Sequence, residues 1–211
     1  MVERPQILCH GIQKLSDVDA EACYVSTIVW QRVSPWMSIQ PIFAFSIKDL
    51  LDLHCLVSSN HKKHKLAVEF AKPVIHALQE KGIPKIGAVG FCLGGAKVVV
   101  ELAKDADVQV AALLHPTFVT LDDIKGVKVP VAILGAEFDK ISPPELVKQF
   151  EAALQAKPEV DHFVKIFPGV SHGWAVRYRD EAVTAVKSAQ EAHQDIVDWF
   201  GKCLQTAHSA L

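Results

Sequence analysis

From Lys65 onward, apolar residues follow two different spacings along the chain. Short, nearly continuous apolar runs predict strands buried on both faces of a sheet. These runs are KIGAVG, VQVAALLH, VKVPVAILG and HFVKIFPG. Segments with apolar residues at helical spacing predict helices between and after them: LGGAKVVVELAKD, PPELVKQFEAALQAK and DEAVTAVKSAQEAHQDIVDWFGK. This alternation predicts an α/β fold, with a mostly parallel, doubly wound sheet and helices on both faces.

Local signals place the ends of several predicted elements. The apolar spacing of residues 65–82 predicts a helix that ends at Gly82. Pro73 should kink this helix or divide it. Ser142 is the expected N-cap of the helix that begins with the two prolines after it. The segment SSNHKKHK, residues 58–65, is polar and basic and predicts a loop.

Residues 1–64 show no clear alternation of strand and helix. The segment ACYVSTIVWQRV predicts one or two strands, while IFAFSIKDLLDLHCLV fits either a strand or a helix. With 211 residues, one domain is expected. We therefore interpret residues 1–64 as a divergent N-terminal segment of the same domain, residues 65–203 as its core and residues 204–211 as a tail.

The amino-acid composition limits the kinds of partner that this protein is expected to bind. Half of the residues are hydrophobic and the net charge is only −2, without a basic stripe, so neither nucleic acid nor an anionic membrane is expected as a partner. The five cysteines show no CxxC spacing, which argues against both a disulfide framework and a zinc site. Charged and polar residues interrupt the most apolar early stretch, SPWMSIQPIFAFSIKDLLDLHCLV, and the N-terminus lacks a signal-peptide pattern. A cytoplasmic location is expected.

One short motif carries candidate chemistry. Gly90-Phe91-Cys92-Leu93-Gly94 fits the pattern G-x-nucleophile-x-G, with Cys in the place of the usual Ser. The motif lies between a predicted strand and a predicted helix, where glycines such as Gly90, Gly94 and Gly95 allow close packing. The helix N-terminus would favour a thiolate and an oxyanion, and the Leu93 N–H is the expected first oxyanion donor. The alternative is a buried structural cysteine in a glycine-rich turn.

Two later residues complete a possible relay. Asp139 and His172 each follow a predicted strand, in the chain order nucleophile, acid, base that hydrolases of this fold use. Because carboxyl ends of parallel strands share one sheet edge, both should lie near Cys92. Alternatives remain for both positions. Glu137, Asp122 and Asp123 compete with Asp139, and His115 competes with His172.

Three further residues are candidates for the wall of a pocket: Phe91 in the motif, His115 after a strand, and Trp174 beside His172. His115 would line the pocket or pack under Pro116. Trp174 fits a pocket wall and plain core packing equally well.

The segments GAVGFCLGGAKVVVELA, VPVAILGAEFDKISPPE and FPGVSHGWAVR resemble the dienelactone hydrolase family of α/β-hydrolases, especially its plant cytosolic members. The resemblance covers about residues 66–203. It implies a triad of Cys92, Asp139 and His172 that hydrolyses a small ester or lactone through a thioester acyl-enzyme. It also implies that no metal or organic cofactor takes part.

The first 64 residues depart from the family pattern. Family members carry there a loop of the type D-V-F-G-x-E, which supplies a second oxyanion N–H and a glutamate that helps to activate the cysteine; no such motif is present. The strand that bears the nucleophile is normally a central one, so loss of its neighbours would leave an exposed edge.

Two other functions therefore stay open besides an active hydrolase. One is a catalytically impaired protein that keeps the triad but lacks that loop. The other is an endo-1,3;1,4-β-glucanase, a label that some plant members carry. The glucanase label fits poorly, because glycoside hydrolysis uses two opposed carboxylates.

Overall fold

A computed structural model describes residues 26–31, 40–46, 61–82, 85–178 and 182–206. The expectations for residues 1–25, 32–39, 47–60 and 207–211 lie outside the described residues. The division into residues 1–64, 65–203 and 204–211 stays a prediction.

A six-stranded sheet forms the centre of the described chain. Its strands are β1 (Ser26–Gln31), β2 (Gln40–Ser46), β3 (Gly87–Phe91), β4 (Val110–Leu114), β5 (Val131–Phe138) and β6 (His162–Ser171). They are arranged in the order β2-β1-β3-β4-β5-β6. Strands β3 to β6 are parallel, as their apolar runs predict, and β1 is antiparallel to both of its neighbours.

Helices cover both faces of the sheet. They are α1 (His61–Glu80), α2 (Cys92–Asp105), α3 (Leu121–Gly126), α4 (Pro144–Gln155) and α5 (Val183–Thr206). On one face, apolar residues of α1 to α4, such as Ile75 and Phe150, share a buried cluster with Val131 of β5. On the other face, Phe200 of α5 packs against Val110 and other strand residues. The predicted doubly wound arrangement is confirmed.

The neighbour of β3 differs from the expected one. Strand β1 runs antiparallel to β3, with Thr27 opposite Gly90 and Trp30 opposite Gly87. Strand β3 therefore has a paired neighbour on both sides, β1 and β4, so the loss of neighbours that would have exposed its edge is not found. However, an antiparallel strand brings its first residue, not its carboxyl end, to the edge near Cys92. In β2, which is antiparallel to β1, Ser46 lies opposite Ser26 at this edge.

Several element boundaries also correct the sequence-based expectations. Helix α1 begins at His61, inside the predicted loop, and apolar residues further along it, such as Ile75 and Leu78, anchor it in the core. Pro73 lies within α1 without dividing it. The expected Ser142 cap is wrong: helix α4 has Pro143 at its N-cap and no side-chain cap bond in the described chain, and the Ser142 N–H donates to Asp139. Helix α5 continues to Thr206, into the predicted tail.

Helix α3 has no counterpart in the sequence analysis, and a charged side chain holds it in place. The Thr120 hydroxyl accepts from the Asp123 N–H while the Asp123 carboxylate accepts from the Thr120 N–H, which forms a capping box. Lys97 Nζ of α2 donates to Asp123 Oδ2 over 2.7 Å. Burial opposes the charged form, but the hydrogen bonds from Lys97 and Thr120 outweigh it and lower the pKa of Asp123 to about 2. Asp123 thus joins α2 to α3.

Asp122 and Asp123 provide a matched pair for testing this contact. The Asp123 side chain is 8% exposed and that of Asp122 is 92% exposed. We expect Asp123→Ala to lower the free energy of unfolding by about 3 kcal/mol, because Lys97 loses a buried partner. Asp122→Ala should change it by less than about 0.5 kcal/mol. Urea unfolding at neutral pH measures both values, and equal losses would contradict the assignment.

The same contact predicts a pH dependence. The folded-state pKa of about 2 lies below the ordinary value of 3.8, so the Asp123 contribution is complete above that value. It should disappear as the pH falls from about 4 to about 2. The stability difference between the wild type and Asp123→Ala should shrink over that range.

Candidate active site

The nucleophile motif forms a sharp turn from strand to helix. Strand β3 ends at Phe91 and α2 begins at Cys92, whose φ of 51° lies in the left-handed region. A Cβ placed on Gly90 would lie 2.2 Å from the carbonyl oxygen of Gly95, so the turn requires glycine at position 90. A strained Cys at such a turn is the arrangement expected for a nucleophile elbow.

The first turn of α2 includes Leu93 and Gly94. The N-terminus of α2, with the positive end of its dipole, therefore lies at Cys92. The role of the Leu93 N–H as an oxyanion donor stays a prediction.

Strand register brings four polar side chains to one edge of the sheet. Phe91 of β3 lies opposite Leu114 of β4, so the next residues, Cys92 and His115, leave adjacent strands side by side. In the same way, Phe138 of β5 lies opposite Ser171 of β6, and Asp139 and His172 follow them. These four residues therefore meet at the carboxyl edge, where sites in parallel sheets form.

Three of these side chains form a hydrogen-bonded chain. The Cys92 sulfur lies 3.1 Å from His172 Nε2, and His172 Nδ1 donates to Asp139 Oδ2 over 2.6 Å. The other carboxylate oxygen of Asp139 accepts from the Ile141 and Ser142 N–H groups over 2.8 and 3.0 Å. These contacts orient the imidazole toward the sulfur, as the relay requires.

The electrostatics of this chain favour an ion pair. Burial lowers the pKa of His172, but the hydrogen bonds to Asp139 and Cys92 and their negative charges outweigh it and raise the pKa to about 9. Burial raises the pKa of Asp139, but the hydrogen bonds from His172, Ser142 and Ile141 outweigh it and lower the pKa below its usual value. At neutral pH, a carboxylate and an imidazolium therefore lie in line with the Cys92 sulfur.

The rival acids lie elsewhere. Glu137 is exposed and accepts from the Gly169 N–H over 2.6 Å. Asp122 pairs with Lys125 on the surface, and Asp123 pairs with Lys97. Among the described residues, Asp139 is the carboxylate that contacts His172.

His115 and its neighbours form the inner wall of this group. The His115 ring is fully buried, and its centroid lies 5.0 Å from that of His172 and 5.2 Å from that of Trp174. Phe91 lies on its other side, with centroids 6.1 Å apart. Burial lowers the pKa of His115, and the neighbouring Cys92 thiol works in the opposite direction. The three predicted wall residues thus pack together beside the Cys92–His172 contact, with His115 in contact with both Phe91 and Trp174.

The sequence analysis missed Thr117. This residue is almost fully buried, and its hydroxyl lies 3.5 Å from His172 Nε2. Thr117 lies two residues after His115, which ends a predicted strand, and this position could have marked it as a site residue. The analysis also missed the grouping of Cys92, His115 and His172, whose ligand atoms lie within 4.8 Å of one another and are of the types that bind a soft metal ion.

Comparison with solved structures identifies the class of fold. A puromycin-hydrolyzing peptidase from Mycobacterium tuberculosis superimposes with a TM-score of 0.54 at 18% identity, over 65% of this chain and 25% of that chain. The sheet, the helices on both faces and the strand-to-helix turn at Cys92 define an α/β-hydrolase fold.

Sequence comparison identifies the family. Residues 53–204 match the dienelactone hydrolase family, and the chain belongs to it. An endo-1,3;1,4-beta-D-glucanase of Zea mays is 44% identical over 94 residues, which are 44% of this chain and 30% of that protein. A carboxymethylenebutenolidase homolog of Mus musculus is 30% identical over 119 residues, or 56% of this chain and 49% of that protein. The matches therefore span half or less of these two relatives.

None of the helices in the described residues is long and apolar enough to cross a bilayer.

The two described cysteines should differ strongly in reactivity. Burial and the nearby charge of Asp161 raise the pKa of Cys203 to about 11, whereas Cys92 lies beside an imidazolium. We expect limiting iodoacetamide at neutral pH to label Cys92 at least about 100 times faster than Cys203, because the thiolate is the reactive species. Peptide mapping measures the label on all five cysteines. Cys203→Ser is the matched control and should leave the fast phase unchanged, whereas a fast phase that survives Cys92→Ser would contradict this assignment.

Proposed function

We propose that this chain is a thiol hydrolase that cleaves a small ester or lactone by acyl transfer, with Cys92 as nucleophile, His172 as proton carrier and Asp139 as its orienting acid. The observation that carries this proposal is the chain of contacts from Cys92 through His172 to Asp139, which spans three strand ends. Membership of the dienelactone hydrolase family supports the reaction class.

The geometry suggests an order of steps. The Cys92 thiolate attacks the carbonyl carbon, and N–H groups of the first turn of α2, including that of Leu93, stabilise the oxyanion. The His172 imidazolium then gives its proton to the departing alkoxide, which leaves a thioester on Cys92. In the second half, neutral His172 takes a proton from water, the resulting hydroxide attacks the thioester, and the acid is released. Asp139 stays ionised throughout and holds the imidazole in one tautomer.

The name of one relative supports the proposed substrate class. The mouse relative is named for a butenolide, an unsaturated lactone. A lactone keeps its alkoxide tethered after ring opening, so a positioned imidazolium is needed to protonate it before the ring closes again. The His172 pKa of about 9 provides that acid at neutral pH.

The glucanase label of the maize relative has no matching site here. Hydrolysis of a glycosidic bond uses two carboxyl groups that flank it. In the described part of the chain, both oxygens of Asp139 are engaged by His172, Ile141 and Ser142, and Glu137 is bonded to Gly169 on the surface. We therefore do not propose glycoside hydrolysis, and mixed-linkage β-glucan should not be cleaved.

The impaired alternative rests on the N-terminal strands. Because β1 is antiparallel to β3, no carboxyl end of a parallel strand in the described chain lies beside Cys92 on the β1 side; on the other side, the end of β4 does. Loss of one oxyanion donor costs about 10²–10³ in rate. A low turnover with an intact Cys92–His172 pair would therefore favour an impaired hydrolase over a different chemistry.

Asp139 and Glu137 provide a matched test of the relay. We expect Asp139→Asn to lower kcat for p-nitrophenyl acetate by about 10³–10⁴, because the amide no longer holds the imidazole in the reactive tautomer. Glu137→Gln, two residues away on the surface, should stay within about twofold of the wild type. Steady-state kinetics at neutral pH measures both, with circular dichroism to show that each variant is folded. Similar losses in the two variants would contradict the role of Asp139.

A further inference from the structure

His115 is a buried polar residue that the proposed reaction does not use. It follows β4 with a φ of 36°, in the left-handed region, and its backbone N–H donates to the Leu134 carbonyl of β5 over 2.8 Å. Its ring is fully buried. Apart from the adjacent Cys92 thiol, neither ring nitrogen has a hydrogen-bond partner within the described part of the chain. A buried and strained histidine without such partners calls for a functional explanation.

The surroundings of His115 point to a ligand that binds nitrogen and sulfur. One ring nitrogen of His115, one of His172 and the Cys92 sulfur lie within 4.8 Å of one another. Phe91 and Trp174 pack against the His115 ring, and neither side chain carries an acceptor for a ring N–H. The polar atoms of three residues therefore converge on one small volume with apolar walls.

We propose that Cys92, His115 and His172 form a three-ligand site for Zn²⁺, and that the bound ion reversibly inhibits the hydrolase. One thiolate and two imidazoles are a ligand set that zinc favours. In tetrahedral coordination, bond lengths of about 2.0–2.3 Å place neighbouring ligand atoms about 3.3–3.6 Å apart. The Cys92–His172 distance of 3.1 Å and the 4.8 Å limit for the group need only side-chain adjustments to reach this geometry. The fourth position would hold water.

Asp139 supports the same assignment. Histidines that bind a metal usually donate their other ring N–H to a carboxylate, which fixes the tautomer and the ring orientation. His172 already donates from Nδ1 to Asp139, so its Nε2 faces the proposed ion. Zinc binding would replace the proton between Cys92 and His172 and release it to solvent.

Inhibition follows from which atoms the ion engages. Zinc would occupy the sulfur electron pair that attacks the carbonyl and the nitrogen that carries the proton. The inhibitory consequence therefore rests on the proposed function, whereas the binding of the ion does not. His115 distinguishes this site from a bare Cys–His pair, because it raises the ligand count from two to three.

The direct experiment adds Co²⁺ to the purified full chain and records the charge-transfer absorption of a cobalt–thiolate bond, followed by displacement with Zn²⁺. We expect one cobalt ion per chain, a band that Cys92→Ser removes, and an affinity that falls at least about tenfold in His115→Phe, which keeps an aromatic ring there. His76→Ala, an exposed histidine on α1, is the matched control and should bind as the wild type does. Unchanged affinity in His115→Phe would overturn the three-ligand site.

X-ray absorption of the zinc-loaded wild type keeps the proposal testable if His115→Phe does not fold. One sulfur and two imidazole neighbours are expected, and one sulfur with one imidazole would overturn the three-ligand site.

Zn²⁺ titration of p-nitrophenyl acetate hydrolysis then tests inhibition, and activation by the ion would contradict the proposal. A chain that binds cobalt through Cys92 but shows no hydrolysis would refute the proposed function while leaving the metal site standing. A hydrolase without the cobalt–thiolate band would do the reverse.

Discussion

The register between parallel strands is the constraint on which the rest of the site depends. Cys92 and His115 leave β3 and β4 immediately after a paired position, and Asp139 and His172 do the same after β5 and β6. A shift of one residue in either pair would turn these side chains to the other face of the sheet. The close approach of Gly90 to the Gly95 carbonyl fixes helix α2 against the end of β3. Backbone pairing thus sets the geometry of the site before any side chain contributes.

Electrostatics then decides the protonation of the group that this backbone assembles. Burial alone would keep His172 neutral, but the Asp139 carboxylate and the Cys92 sulfur on its two sides outweigh burial and raise its pKa to about 9. Two N–H groups after Asp139 hold that carboxylate in its charged form. His115, which lacks such a carboxylate, has its pKa lowered by burial. The pKa values of two histidines whose rings are 5.0 Å apart therefore shift in opposite directions, because only His172 has a carboxylate partner.

The sequence alone was sufficient for the parallel part of the fold, because buried strands and amphipathic helices leave different apolar spacings. It also placed Cys92, Asp139 and His172 after strands, and the structure brings these three side chains together; their catalytic roles stay proposals. Thr117 and the grouping with His115 were missed, because contacts between side chains from different strands leave no spacing signal in the chain. The antiparallel direction of β1 was also not predictable, since an apolar run does not encode the direction of its partner.

The central claim is that Cys92 carries the acyl group during turnover. Rapid acid quenching of the full chain during hydrolysis of p-nitrophenyl acetate, followed by intact mass measurement and peptide mapping, tests it directly. The account predicts one acetyl group per chain, located on Cys92, sensitive to hydroxylamine as a thioester is, and absent in Cys92→Ala. It also predicts that Asp139→Asn slows the formation of this species. Turnover without any acyl-enzyme, or with the acetyl group on another residue, would contradict the account.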